Sequence, residues 1–398
     1  MPNAMPSCCR PLACLALLLP CLSLAAQDVL IQAKTIVVAP DTVLSPGELL
    51  VRDGKVAHVG AEIPAETRSK ARVVAWPDAT IVPGFVLPHG TLGQDQDLAE
   101  RAVPMTPELL AADAFDPFRD DLQQLARNAV TSYGLAPSSR NVAAGIGALV
   151  KPGGERGRVA EAQAFLKLSL AAAARDPERP PTSLMGAVDL LREGFAAAKQ
   201  GAQGGPHVAA LARALRGERR VFLAADSYAE LTAALALAQE FAFEPALVGA
   251  ASAPDCMDRI AAARAAVVLS PLLPDMRGEQ LLLPSRLEQR GVPFCFQGAP
   301  SQLRASAALA VHYGTSRKAA LAALTRTPAV LLGQQDHVGA LRRGCDADFA
   351  VFDGDPLDLG APLRAVWIDG QRRFGTDPPP APRTRDVAAG KVAGPEVR

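Results

Sequence analysis

The chain opens on short apolar runs broken by turn pairs: residues 29–38, 48–52 and 55–59 read as strands, with Asp53-Gly54 between the last two. Asp-Gly between apolar runs is a strong hairpin signal, because both positions tolerate the left-handed backbone that a tight turn needs. The far end repeats the style, with strands at 348–353 and 363–368 and a second such turn at Asp369-Gly370. Between these two all-β stretches, residues 85–335 alternate apolar runs with Ala/Leu-rich helical pattern, the signature of parallel βα units. The strand at 220–225 followed by a helix at 228–242 is one such unit; the strand at 265–270 runs into a proline-bearing polar loop, and 292–296 is the last strand of the series. The double proline at 180–181 and the Gly-rich run 201–206 mark loops inside the middle part, since helical pattern resumes after each.

With 398 residues, about half of them hydrophobic, the chain has enough apolar mass for a barrel-sized domain and a smaller one. Forty-one Lys and Arg balance forty-one Asp and Glu, so no overall field would gather nucleic acid or an anionic membrane, and no nucleic-acid partner is expected. The first residues change the picture of location. Arg10 precedes an apolar run at 12–22 and then the small residues Ser23, Ala25 and Ala26, the order of an export signal over 1–26. The run falls short of the roughly 20 residues a membrane span needs, so the expectation is a soluble periplasmic or secreted protein with no membrane span. Cys8, Cys9, Cys14 and Cys21 would leave with that segment; the odd set Cys256, Cys295 and Cys345 would leave at least one thiol free. From 376 to 398 the chain is rich in Pro, Gly and charge without periodicity, and reads as a disordered tail.

Several motifs, in order, resemble the imidazolonepropionase-like metal-dependent hydrolases of the amidohydrolase superfamily. Ile81-Val82-Pro83-Gly84-Phe85-Val86 followed by His89 is similar to the family's strand-one Pro-Gly-hydrophobic-hydrophobic-Asp-x-His-x-His. Asn128 to Ser132 resembles its Gly-Val-Thr-Ser segment, with a Gly/Ala-rich run at 141–151 after it, and residues 319–348, ending in Gly344-Cys345-Asp346-Ala347-Asp348, resemble its closing block. The resemblance implies an α/β fold: a (β/α)8 TIM-type barrel over 84–335 plus a small composite β-sandwich domain built from both termini, over 27–83 and 336–375. It also implies a metal at the C-terminal mouth of the barrel, held by His-x-His on strand one, a Lys or Glu, two further His, and a last Asp that handles the proton of the metal's water. Residues i and i+2 of a strand point to one side, which is why that first pair is spaced as it is.

Against that pattern the chain departs at most ligand positions. The first histidine matches His89, the second falls on Thr91, and the Asp two residues before the first falls on Leu87. No histidine lies between His207 and His312; the fifth-strand ligand falls on Asp226 and the sixth-strand one near Gly249. After the last strand stands Gln297-Gly298-Ala299-Pro300, and no Asp or Glu occurs from 289 to 335. A lysine for the bridging position is found at Lys167, with Lys151 as the less favoured choice. The expected vestigial metal site is therefore His89, Asp226 and Lys167, with no residue assigned as catalytic.

Plainer roles compete: His89 as a relic held by backbone hydrogen bonds, Asp226 as the N-cap of the helix after it, His312 as a packed helical side chain, and His58 and His337 as parts of the flanking β region. The polar stretches 137–141 and 271–280, the latter with Asp275 and Arg277, read as loops on the same face. The expectation is an exported amidohydrolase-family protein with a degenerate metal site, a catalytically impaired ligand- or partner-binding scaffold with no cofactor, open to homo-oligomers or to an active relative. The alternative is a hydrolase of carbon-nitrogen bonds with a reduced single-metal site, zinc being the metal; which of the two holds, enzyme or not, is left open by the sequence.

Overall fold

A computed structural model describes residues 27–94, 98–153, 156–201, 205–376 and 378. The expected export segment at 1–26 and all of the expected tail except Thr376 and Pro378 lie outside the described residues. Among the described residues, no helix is long and apolar enough to cross a membrane.

Strands from the two ends of the chain make one hydrogen-bonded sheet. Its N-terminal members are β1 (Val29–Ala39), β2 (Thr42–Leu44), β3 (Gly47–Arg52), β4 (Lys55–Gly60) and β5 (Arg72–Pro83). The C-terminal members are β14 (Phe349–Phe352), β15 (Leu363–Ile368) and β16 (Gln371–Gly375). The order is β16-β15-β14-β5-β1-β3-β4, with β2 hairpinned onto β1. The join is β5, which runs parallel to β1 and antiparallel to β14, where Ala350 faces Val82. One apolar cluster, including Ile31, Leu49, Ile81, Phe349 and Trp367, draws on both ends, so neither set of strands buries its face alone. Both Asp-Gly turns have the left-handed pair of residues: Asp53 and Gly54 at φ 49° and 76°, Asp369 and Gly370 at 51° and 71°. They also abut, since a Cβ on Gly370 would lie 2.9 Å from the Gly54 Cα.

The second sheet follows chain order from β6 (Phe85–Gly90) through β7 (Val130–Leu135), β8 (Ala143–Lys151), β9 (Arg158–Ser169), β10 (Arg220–Ala225), β11 (Pro245–Gly249) and β12 (Ala266–Leu269) to β13 (Phe294–Phe296). This is the nearly closed barrel of an α/β fold. From β9 to β13 the strands are parallel, with helices such as Tyr228–Phe241 between them. One stretch departs from the expected βα alternation: β8 runs antiparallel to both β7 and β9. Strands β7, β8 and β9 are thus an antiparallel meander where βα alternation was expected. A fully buried apolar strand reads the same in sequence whichever way it runs, and every residue of β8 is buried.

Side chains alternate between two layers along the barrel strands. Leu223, Leu247, Val267 and Phe296 join the cluster shared with the helices, whereas Phe222, Ala224, Val248, Val268 and Cys295 form a separate cluster with Val86 and Phe165. The second set is the barrel interior. Phe165 and Phe222 have ring centroids 4.3 Å apart, and Gly147 makes the room, since a Cβ there would fall 2.1 Å from the Phe165 ring. Cys295 is one of three free, buried cysteines, and burial pushes its thiol well above the ordinary range, as suits an inert packed group.

Candidate functional site

Lys167 lies two residues beyond Phe165 on β9 and so shares its inward face. The side chain is fully buried near the C-terminal ends of the strands. His89 comes from the end of β6, where a register shift between Leu87 and Gly90 breaks strict alternation. That irregularity lets His89 turn inward although Leu87 belongs to the outer layer. The result is a contact of 3.0 Å between Lys167 Nζ and His89 Nε2. Asp226 is the residue immediately after β10. The structure therefore brings all three expected site residues to one place, the C-terminal mouth where barrel enzymes keep their sites.

Asp226 does not cap the helix that follows. The cap is Ser227, whose Oγ accepts from the Glu230 N–H while the Glu230 carboxylate accepts from the backbone, a complete capping box. Glu230 Oε2 receives the N–H of Asp226 at 2.9 Å and of Ser227 at 3.1 Å, and Arg175 donates to its Oε1 at 2.6 Å. The Asp226 carboxylate is thus left to face the mouth, with the Ala251 N–H as a backbone donor. Gly249, at the end of the sixth barrel strand, is shaped to this: its φ is +93°, and a Cβ would stand 2.2 Å from Asp226 Oδ1. The missing sixth-strand side chain is the space that the fifth-strand carboxylate fills.

The electrostatics are those of a half-desolvated cluster. Burial pushes the Lys167 ammonium down to about 7, against a smaller opposing pull from Asp226. Burial, then the Lys167 charge, hold His89 well below the usual imidazole range, so its ring is neutral at neutral pH. Asp226 is exposed as a residue, yet desolvation of its carboxyl and the nearby Glu230 charge raise it above the ordinary carboxylate value, with Lys167 pulling the other way. Three donors of different charge type, an imidazole, an amine and a carboxylate, are held close.

The remaining expected positions sit elsewhere. Thr91 is exposed and Leu87 is core. Gln297, after β13, is half-buried, an amide where the family has its last carboxylate. His207 pairs with Glu108 at 2.6 Å on the surface, His312 packs edge-on to Tyr313, His58 lies on β4, and the His337 carbonyl accepts from the Asp346 N–H. Asn141 braces the loop before β8, accepting from Arg179 and donating to Val103 and Thr106. Arg277 precedes the short helix Gly278–Leu281.

Lys151, the other lysine considered, is at the far end of the barrel, paired with Arg158 at the start of β9. Nine residues of strand separate that end from Lys167, roughly 30 Å. Its Nζ is buried among three carboxylates: 2.9 Å from Asp348, 2.7 Å from Asp369, and hydrogen-bonded to Asp346. Those three aspartates are the acidic cluster among the described residues whose oxygens lie within 4.8 Å of one another. With Lys151 in its midst, and Lys55 and Arg158 on Asp346 and Asp369, the cluster is charge-compensated. Sequence reasoning missed Glu230 and Arg175, although Ser227-Tyr228-Ala229-Glu230 is a legible capping-box pattern.

Residues 303–374 match the amidohydrolase family model. A stretch of 68 residues, 17% of this chain, is 47% identical to amidohydrolase tasK from Hapsidospora irregularis, of which it spans only 7%. The fold is similar to an amidohydrolase from Thermotoga maritima, with a TM-score of 0.78 and 24% identity over 87% of this chain and 100% of that one. Molinate hydrolase follows at 0.56, with 14% identity over 87% of this chain and 95% of that one. An ochratoxinase of A. niger follows at 0.55, with 15% identity over 88% and 96% respectively.

Proposed function

We propose that this chain, whose fold and closing segment are similar to those of amidohydrolases, hydrolyses carbon-nitrogen bonds with a reduced, single-metal site. The observation that carries this is the meeting of His89, Lys167 and Asp226 at the barrel mouth, with the amine 3.0 Å from the imidazole. A catalytic zinc needs about three protein ligands and leaves one position open. These three side chains meet that minimum. Two nitrogen ligands at about 2.0–2.1 Å on a tetrahedral ion stand about 3.3 Å apart, close to the Nε2 to Nζ separation here. The amine fits only when deprotonated, which burial favours by bringing Lys167 to about 7. A zinc bound there would supply an acidified water and polarise the scissile carbonyl.

The chain's own residues do the rest. Neutral His89 offers Nε2 toward the centre without adding positive charge. Asp226, reachable from solvent, is the carboxylate at the mouth placed to take a proton from an entering water, the task the family gives to the position Gln297 occupies here. Glu230 and Arg175 hold the Asp226 backbone.

A second reading, the impaired scaffold that binds a ligand or an active relative, draws on Gly249 and Gln297, where a side-chain ligand and a carboxylate are missing. Metal analysis after dialysis against zinc, with turnover assays on dipeptide-like, lactam and ureido compounds, separates the two. One equivalent of zinc and turnover, both lost in His89→Ala, support the hydrolase; zinc-free, inactive protein supports the scaffold. Export to the periplasm belongs to the same proposal, and fractionation of cells carrying the full chain tests it.

A further inference from the structure

Across the mouth from Lys167 stand two neutral polar side chains, Gln297 and Ser270. In the eight-stranded barrel sheet β13 is the fourth strand on from β9, so the two lie on opposite walls. Cys295 and Val268 belong to the interior layer, and Gln297 and Ser270 each come two residues later, on the same inward face. They are neighbours: the Gln297 N–H donates to the Leu269 carbonyl at 2.9 Å, carrying the pairing of β12 with β13 one residue past the strand ends. Gly298 lets the two loops close on each other, since its φ is +115° and a Cβ there would fall 2.4 Å from Pro271 Cγ. Other polar groups at this end are already used: Ser169 Oγ accepts from the Ala171 N–H, and Asn141 is held by Arg179 and Thr106. Among the described residues, neither the Gln297 amide nor the Ser270 hydroxyl has a hydrogen-bond partner. Gln297 is half-buried and Ser270 is exposed.

A primary amide offers donors and an acceptor together, and the hydroxyl beside it can serve as either. Such a pair matches the N–H and C=O of another amide, whereas a carboxylate brings acceptors alone and an ammonium donors alone. A half-buried amide that gives up water to a ligand of the wrong type is left unpaired, and that loss is what makes hydrogen-bonding sites selective. The wall opposite Lys167 is also removed from the place where a bond would be cleaved, so what it holds is another part of the same molecule. We infer that Gln297 and Ser270 determine specificity by binding a second, non-reacting amide of the substrate. The substrate class is then a compound with two amide groups, one over His89, Lys167 and Asp226 and the other over the ends of β12 and β13. The inference rests on the reading above for the substrate's place at the mouth.

Three probes that share one acetamide test it: N-acetylglycinamide, with a second amide; N-acetylglycine, with a carboxylate; and N-acetylethylenediamine, with an ammonium. Their dissociation constants for the full chain are read by ligand-observed NMR near neutral pH without added metal, so no turnover is required. The expected result is that the diamide binds at least fivefold tighter than either charged probe and that Gln297→Leu removes the preference. Gln297→Glu should transfer the preference to the ammonium probe, a reversal that a merely structural role would not give. Ser270→Ala, at an exposed position, should weaken the diamide at least threefold and keeps the test informative if the Gln297 variants fold poorly. A wild-type preference for a charged probe, no binding of any probe, or the same preference in wild type, Gln297→Leu and Ser270→Ala overturns the assignment. Zinc-free, inactive protein that keeps the preference would count against hydrolysis alone; active, zinc-bearing protein without it would count against this inference alone.

Discussion

Lys167 is the residue whose ionisation the fold alters most legibly. Its folded-state value of about 7 lies below the roughly 10.4 of an unfolded lysine. Between those values the unfolded chain binds the extra proton, so stability rises with pH across that window and stays low beneath it. The penalty below pH 7 is on the order of a few kcal/mol. Metal-free protein unfolded in urea at pH 6.5, 8 and 9.5 should therefore show a rising midpoint, and Lys167→Met should flatten that rise. A parallel rise in the variant would mean that another group is responsible. Gly249 gives a second test at this scale. A methyl there would meet Asp226 Oδ1 at 2.2 Å and would sit at φ +93°, so Gly249→Ala should displace the carboxylate. The expected outcome is at least a tenfold loss of turnover for about 1–2 kcal/mol of stability from backbone strain, read from initial rates beside a melting curve. Unchanged turnover would remove Asp226 from the reacting centre.

At the scale of elements, the helix Tyr228–Phe241 shows how a one-residue difference in assignment changes a role. Both Asp226 and Ser227 are good N-cap types, and the plainer reading of the sequence put the cap on Asp226; the Glu230 three residues after Ser227, itself legible in the sequence, closes the box and fixes the cap on Ser227. Ser227→Ala should lower stability by about 1 kcal/mol, whereas Asp226→Asn, which leaves the cap intact, should change it far less while affecting the site. Comparing urea midpoints of the two variants checks this. Local signals of this kind were readable in advance: both Asp-Gly turns, the strand at 220–225 and the helix start at 228 appear where the pattern placed them. What the pattern could not carry was relative direction and irregularity. Burial on every residue of β8 hid its reversed sense. The i, i+2 rule for His89 failed to anticipate the register shift that turns the ring toward Lys167, because that shift is set by pairing with β7 and not by the residues of β6 alone. The meeting of Lys167, His89 and Asp226 was expected only through the family resemblance, since they come from three different strands.

For the molecule as a whole, the question is what fastens the composite sheet to the barrel, and the buried Lys151 is the clearest answer. It stands at the end of β8 and binds Asp346 and Asp348, which lead into β14, and Asp369, in the turn before β16. Among these carboxyls burial pushes Asp348 up to about 6, despite the stabilising pull of Lys151, while the amine holds Asp346 and Asp369 below the usual range even against their own burial. Removing one partner of a buried ion cluster leaves charge uncompensated, at a cost of about 3–5 kcal/mol, so Lys151→Met should lose stability on that scale at pH 8. The remaining carboxyls would then bind protons more readily folded than unfolded. By linkage, a group whose folded value is raised contributes stability at low pH and loses it as pH climbs through that value. The deficit of Lys151→Met relative to wild type should accordingly shrink between pH 8 and pH 5, measured as paired urea midpoints at each pH. A deficit that is constant across that range would mean that Lys151 acts through packing of its aliphatic stem, and that the junction is held by the apolar pairing of β5 with β14.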